Sequence, residues 1–599
     1  MELQASSPLP LTRPQRLLIG LTALAVAVTR LMALSKTLWD WDEAQFALAV
    51  VEYDAAGHRP HPPGFPLFIL LANVARLFTS SDFRALQAVT VIAAMTLFPL
   101  FFFLCRELGF SFPVAWGGSL LAVFLPNVWF YGGTAFSDIP SLALTVAACA
   151  FLLRGARERR SLLAGAVLLG LAAAIRPQAL LIGAAPALLA VWKQRRHRGT
   201  VVGAMAIGAA VVASFYAGAI LASSSYDEYM ATARKLRDYL RSVDSFLTPT
   251  RPPLTVLFEF FFLRTIPGEI YARIVIYAAA AGAIITSIRR DGRAWLLILI
   301  FLPFQIFAWL MLDFHSVSRY GVTYAPMYAI LAAAAFIGAF AWMPGAGRWA
   351  GSLLVLVLTA ALIRWTIPAL TEVRRNPSPP VRMMEWVARE VPPSSTVFVE
   401  GSLMPFATYL IGDRHTVLVD RPQDLGPAVQ PSDAILVTET ATPIMNATRF
   451  VRERGRVFDV VRRRYFETAI LPANAWAKFS DGWYPEEWQG ADVWLWMGGR
   501  SVTLLPPLNG PATLTLKLEP ALEKGPPVIE VRMNGALVET IAVSATMERT
   551  WTVDAAADRW NELVLTSDRF INPAREGIGS DGRDLSVRLL GYDWKPVAP

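Results

Sequence analysis

The chain has 599 residues, 54% of them hydrophobic and 17% charged, with a mean hydropathy of +0.42; that balance is too apolar for an ordinary soluble protein and places most of the chain in lipid. The net charge of +8 does not point to nucleic acid, because the arginines fall in short clusters between apolar runs, which is how membrane topology is encoded. The two cysteines, Cys105 and Cys149, both lie inside apolar runs, and this argues against a disulfide framework or a thiolate metal site.

The first apolar run, residues 17–34, follows Arg13 and Arg16 and reads as an uncleaved span. Cleavage after Ala33 would remove the helix that positions the next stretch. That stretch, residues 39–68, carries Asp40, Asp42, Glu43, Glu52, Asp54, His58, Arg59 and His61 directly at a membrane edge. Ionisable groups are costly beside hydrocarbon, so a cluster of them where a span meets water marks a functional site. The HPPGFP run that closes it restricts the backbone at and before each proline, and the stretch reads as a stiff loop holding carboxylates at the mouth of a membrane cavity.

Further apolar runs at 86–105, 114–130, 140–153, 162–175, 178–191, 201–221, 270–288, 295–312, 320–342 and 349–367 bring the count to about eleven spans. Arg13 and Arg16, the clusters at 154–160, 193–198 and 289–293, and Arg348 all fall on one side, which the positive-inside rule makes cytoplasmic. The acidic loop, the connection 223–268, the junction near Arg319 and everything after Leu370 then lie outside, in the periplasm if the membrane is a bacterial inner membrane. Residues 223–268 have helical spacing with charges on one side and aromatics on the other, an interfacial helix able to cover the site or a plain amphipathic linker.

Residues 1–369 are thus expected to form the membrane domain. Residues 370–474 alternate strand-like and helix-like runs, with 447–455 helix-like, and suggest a small α/β domain. From 478 to 599 about eight short alternating strands, with Asn534-Gly535 as a hairpin turn, predict a β-sandwich of jelly-roll type.

Four places at the outer ends of predicted spans carry polar groups that lipid does not tolerate without reason: Asp42 with Glu43, Asp138, Arg176, and Arg319 with Tyr320. Two acids and two arginines facing one cavity suit chemistry on a phosphate ester whose tail stays in the bilayer. Guanidinium groups clamp the phosphate and a carboxylate takes the proton of an incoming hydroxyl. Asp42 is the first choice as base, with Glu43 binding the acceptor or holding an arginine, since neighbours on a helix point about 100° apart. Helix capping by Asp138, snorkelling by Arg176 and lipid anchoring by Arg319 are the structural alternatives. His58 and His61 lack a third close ligand for zinc. No cofactor is required, but Asp42 and Asp138 with a third oxygen could hold Mg or Mn.

The order of these features resembles the glycosyltransferase C superfold, and within it the bacterial relatives of protein O-mannosyltransferases and of the lipid A aminoarabinose transferase. The resemblance rests on Asp42-Glu43 after the first span, His61-Pro62-Pro63, Ser137-Asp138, Arg176-Pro177, and Arg319-Tyr320 followed by Pro326, across roughly the first 340 residues. It implies a polytopic α-helical membrane enzyme that moves a sugar from a polyprenyl-phosphate donor to a lipid, glycan or protein acceptor on the extracytoplasmic face. It also implies a catalytic role for Asp42, with Asp138 as second acid. Arg176, Arg319 and Tyr320 would sit on the donor phosphate, and His61 in support where a lysine usually precedes the proline. The terminal module is similar to carbohydrate-binding jelly rolls, with Trp483, Tyr484 and Trp488 available to stack on sugars or to fill the sandwich core. A transporter or flippase of a lipid-linked sugar, binding the headgroup without chemistry, is the alternative; the absence of internally repeated halves disfavours it. A non-catalytic envelope protein displaying the sandwich would leave the acidic loop incidental.

Overall fold

The computed structural model describes residues 10–597 except 250, 289–290, 421–423, 427, 441–443, 462–465, 490–491 and 522–524. Arg289 and Arg290 of one predicted basic cluster, and the side chain of Arg348, therefore lie outside the described residues. The chain divides into two compact units, Met1–Pro377 with Arg454–Arg463, and Ser378–Glu453 with Arg464–Pro599.

In the first unit every predicted apolar run is helical. The run 114–130 forms two helices, Phe112–Val123 and Pro126–Tyr131, because Pro126 pushes Leu125 out of helical geometry. Among the described residues eight helices are long and apolar enough to cross a bilayer, and Phe112–Val123 and Ala179–Gln194 are shorter. Two helices set the polarity of the unit. Asp138–Gly155 begins at an acid and carries Arg154 in its last turn. Arg159–Ile175 begins with two arginines and ends at Arg176. Seventeen residues span roughly 25 Å at 1.5 Å each, so the basic cluster at 154–160 and the polar pair Asp138 and Arg176 occupy opposite ends of the helices.

The acidic loop has its own short helix, Trp41–Val51, begun by a capping box. Asp40 accepts from the amide of Asp42 at 3.1 Å, and Glu43 reaches back to the amides of Trp39 and Asp40 at 2.5 and 3.1 Å, satisfying donors that the first turn leaves open. After it the chain turns at Gly64 with φ +96°, and a Cβ there would lie 2.1 Å from the Tyr53 hydroxyl, which instead donates to the Gly64 carbonyl at 3.0 Å. The predicted amphipathic helix in 223–268 is present as Tyr226–Tyr239, started by Ser225, whose hydroxyl accepts from the Glu228 amide at 3.1 Å.

Among the described residues the second unit holds three five-stranded sheets. The first is mixed: Val397–Glu400 pairs in parallel with Thr416–Val419 and Ile435–Glu439, and Glu467–Pro472 joins antiparallel between Ile435–Glu439 and Thr448–Val451. The helix expected at 447–455 is instead this edge strand, followed by a helix Gly455–Val461 that belongs to the first unit. Thr448, Phe450 and Val451 suit a pleated surface better than a helix. The other two sheets, Met547–Ala555, Gly510–Pro520, Val587–Pro596, Asp492–Trp496, Glu487–Gln489 and Ala536–Ala542, Val528–Met533, Asn561–Ser567, Arg500–Leu505, Lys478–Phe479, are antiparallel. Leu514, Leu516 and Trp594 of one sheet and Ile529, Val531 and Leu563 of the other share a single buried core, which makes the pair a β-sandwich. Asn534 and Gly535 both have positive φ, the hairpin turn read from the sequence.

Candidate active site

Four elements of the membrane unit bring their ends to one place. Asp42 comes from the first turn of Trp41–Val51, Asp138 from the start of Asp138–Gly155, Arg176 from the end of Arg159–Ile175, and Arg319 and Tyr320 from the start of Val317–Phe340. All five line a cavity of about 200 Å³ together with His61. Its walls are largely apolar and include Phe65, Leu142, Ile182 and Phe304, and Leu236 and Leu240 from the amphipathic segment after Ser225. That segment therefore contributes to the site and is more than a linker.

The charged groups are knitted together. Arg319 donates from Nη1 to Asp42 at 2.6 Å and from Nε to Asp138 at 3.1 Å. Arg176 donates from Nη2 to the same oxygen of Asp138 at 2.9 Å and from Nε to the Ser137 hydroxyl at 2.8 Å. Asp138 is therefore held by two guanidinium groups and does not act as a cap, Ser137 being the N-cap residue of its helix, and Arg176 turns inward and does not snorkel. The Arg319 guanidinium also lies 4.1 Å over the ring of Phe136, and that of Arg176 lies 5.4 Å over Phe65. Asp138 is 3% exposed and Asp42 18%, so Asp42 is the more accessible of the two acids and Asp138 the one enclosed between the two arginines. Asn127, donating to the Ser318 carbonyl at 2.8 Å, ties the Arg319 helix to the helix Pro126–Tyr131.

Glu43 does not face this cavity. It is fully buried, its second oxygen accepts from the Ala135 amide at 2.7 Å, and with the two amides of the capping box it stitches the acidic loop to the segment before Asp138. Burial outweighs these three donors and pushes its carboxyl up to about 7. Its place is that of a structural acid, and it holds neither an arginine nor a position for an acceptor.

The sequence reading gave no role to Gln45, Phe65 or Phe136, and named Ser137 only as the neighbour of Asp138. Gln45 had a signal: it lies three residues after Asp42 and so shares its face of the helix. A divalent ion does not fit the acids as they stand, since Arg319 bridges the two carboxylates that the ion would have to share. Among the described residues no three His, Cys, Asp or Glu side chains gather to hold a metal. Trp483, Tyr484 and Trp488 belong to the second unit. Trp483 packs on the sandwich core and donates to the Thr503 hydroxyl at 2.9 Å, the Tyr484 hydroxyl accepts from the Asp584 amide at 3.2 Å, and Trp488 is 48% exposed.

No family model matches the sequence, and no curated protein matches it either. Solved structures do match by shape. The crystal structure of ArnT from Cupriavidus metallidurans in the apo state gives a TM-score of 0.50 at 11% identity, covering 77% of this chain and 99% of that one. The same protein bound to undecaprenyl phosphate gives 0.49 at 12% identity, with 77% and 98% covered. The arabinofuranosyltransferase AftD from Mycobacteria gives 0.42 at 11% identity, with 99% and 62% covered. The likeness to apo ArnT is one of fold; in this chain that fold is a helical unit with helices long and apolar enough to cross a bilayer, followed in sequence by strand-rich structure.

Proposed function

We propose that this chain is an integral-membrane glycosyltransferase that moves a sugar from a polyprenyl-phosphate donor to an acceptor hydroxyl on the extracytoplasmic face. The observation that carries the reading is the one cavity in which Asp42, Asp138, Arg176 and Arg319 meet between apolar walls, at the end of the helices opposite the basic cluster at 154–160. Its apolar walls suit a lipid-linked substrate, its guanidinium groups a phosphate, and its more open carboxylate a hydroxyl. The fold shared with apo ArnT agrees with it.

In the reaction, Asp42 takes the proton of the acceptor hydroxyl as its oxygen bonds to the anomeric carbon. The bond from that carbon to the phosphate oxygen breaks, and its electron pair stays on the departing polyprenyl phosphate. A phosphodiester with one negative charge becomes a monoester with two, while Asp42 loses its charge on protonation, so the net charge of the site does not change. Arg176 and Arg319 stabilise the charge developing on the phosphate in a setting of low dielectric. Asp138 holds both arginines, and Tyr320 stands beside them.

The direct test is purified full-length protein in lipid nanodiscs, given a panel of undecaprenyl-phosphate sugars and envelope lipid and glycan extracts. Transfer of label from at least one donor is the expected result. Donor bound and carried across a vesicle bilayer without any transfer would replace this reading with that of a flippase.

A further inference from the structure

The ring of His61 has a tautomer that its neighbours dictate. Gln45 Oε1 lies 3.2 Å from the backbone N of His61 and 2.7 Å from its Nδ1. A peptide N–H can only donate, so the amide atom of Gln45 turned toward it is the oxygen, and an amide oxygen can only accept. The proton of the neutral ring is therefore on Nδ1. Asp42 Oδ1 stands 3.9 Å from the same nitrogen, too far to compete. Nε2 is left with a lone pair and has no hydrogen-bond partner among the described residues, on a side chain that lines the cavity and is held edge-on by Phe65 at 5.0 Å.

We propose that His61 is a neutral hydrogen-bond acceptor of the active site, its Nε2 receiving a hydroxyl of one of the two substrates, with Gln45 as the positioning residue that sets its tautomer. This rests on the transferase reading above for the hydroxyl, but not for the tautomer. The charged and titratable groups that face the ring are Asp42, Arg176, Arg319 and His58. Burial lowers the imidazole to about 4 against the pull of Asp42, and the two arginines and His58 act in the same direction as burial. A neutral imidazole cannot give the phosphate the charge that a lysine at this place would. Beside two arginines that only donate, it supplies an uncharged acceptor, which suits a sugar or acceptor hydroxyl and not a phosphate oxygen.

The test uses full-length protein in nanodiscs with ¹⁵N-labelled histidine. The chain has five histidines, and His61 is assigned by its loss in His61→Phe. The expected spectrum is an Nδ1–H ring with unprotonated Nε2 that does not titrate between about pH 8 and 5.5, becoming a mixture of tautomers in Gln45→Leu. An Nε2–H ring, or a midpoint near the ordinary 6.5, overturns the assignment whether or not the protein is a transferase. In the transfer assay, His61→Phe is expected to raise KM roughly tenfold for one substrate, the size of one lost hydrogen bond, with kcat little changed. A rise for the undecaprenyl-phosphate sugar places the hydroxyl on the donor, and a rise for the acceptor places it there. Equal KM values for both in His61→Phe overturn the hydroxyl contact. Failure of all transfer in the wild type, with the ring spectrum as expected, counts against the function and leaves the tautomer standing.

Discussion

Replacing Arg319 by lysine keeps the charge and removes the fork. In the native site one guanidinium reaches two carboxylates on two different elements, Asp42 at 2.6 Å and Asp138 at 3.1 Å, with a side chain only 5% exposed. An ammonium is a compact point charge and cannot hold both acids in that geometry. Arg319→Lys therefore leaves one buried carboxylate short of a charge-assisted hydrogen bond, a loss of about 1.5–3 kcal/mol. If the lost contact is one that acts on the transition state, transfer slows by roughly ten- to hundredfold. The assay is the initial rate of sugar transfer beside donor affinity and thermal unfolding of the same preparation. The expected outcome is a fall in kcat with the protein still folded, while Arg319→Met loses folded protein as well, because the buried carboxylate of Asp138 is left with one guanidinium in place of two. Wild-type kcat/KM in Arg319→Lys would refute the shared clamp.

Other outcomes follow from the same geometry. The ring of His61 is held at about 4 against an ordinary 6.5, so between those values the unfolded chain binds more protons. The stabilisation present above about pH 6.5 is then lost as pH falls toward 4, by roughly 3 kcal/mol. His61→Phe, which cannot titrate, should close its gap in unfolding temperature to the wild type over that window, and a constant gap would contradict the assignment. Gly64→Ala forces a Cβ to within 2.1 Å of the Tyr53 hydroxyl at φ +96°, and a cost of about 1–3 kcal/mol in the loop that carries His61 is expected, seen as a lower unfolding temperature and partly relieved by Tyr53→Phe. Because Arg319 stands between the two acids, prior treatment with a chelator is expected to leave transfer unchanged; loss restored by Mg or Mn would mean that the acids rearrange around an ion.

Much of the site could be read from the chain because it is built from residues that have no business in lipid. Asp42, Asp138, Arg176 and Arg319 announce themselves by charge alone, each at the end of an apolar run, and the structure brings all four to one cavity. Pairing was less legible. Glu43 stands next to Asp42 in sequence and looks equally functional, yet the helix periodicity turns it to the amides of Trp39, Asp40 and Ala135. Gln45 and Ser137 are uncharged; each is near an acid in sequence, Gln45 on the face of Asp42 and Ser137 beside Asp138, but their partners His61 and Arg176 lie 16 and 39 residues away. The strand at Thr448–Val451 was missed for a related reason: its pairing with Glu467–Pro472 is a tertiary choice that overrode a run with helical spacing. The sandwich was legible strand by strand because its inward and outward residues alternate, as in Gly510–Pro520.

The most direct test of the account is Asp42→Asn, measured as sugar transfer and as donor binding in one nanodisc preparation. The substitution keeps the shape of the side chain and takes away its ability to accept a proton. A fall in turnover by several orders of magnitude with donor affinity within a few fold is the predicted result. Turnover close to wild type would contradict Asp42 as the base and with it the central reading of this cavity.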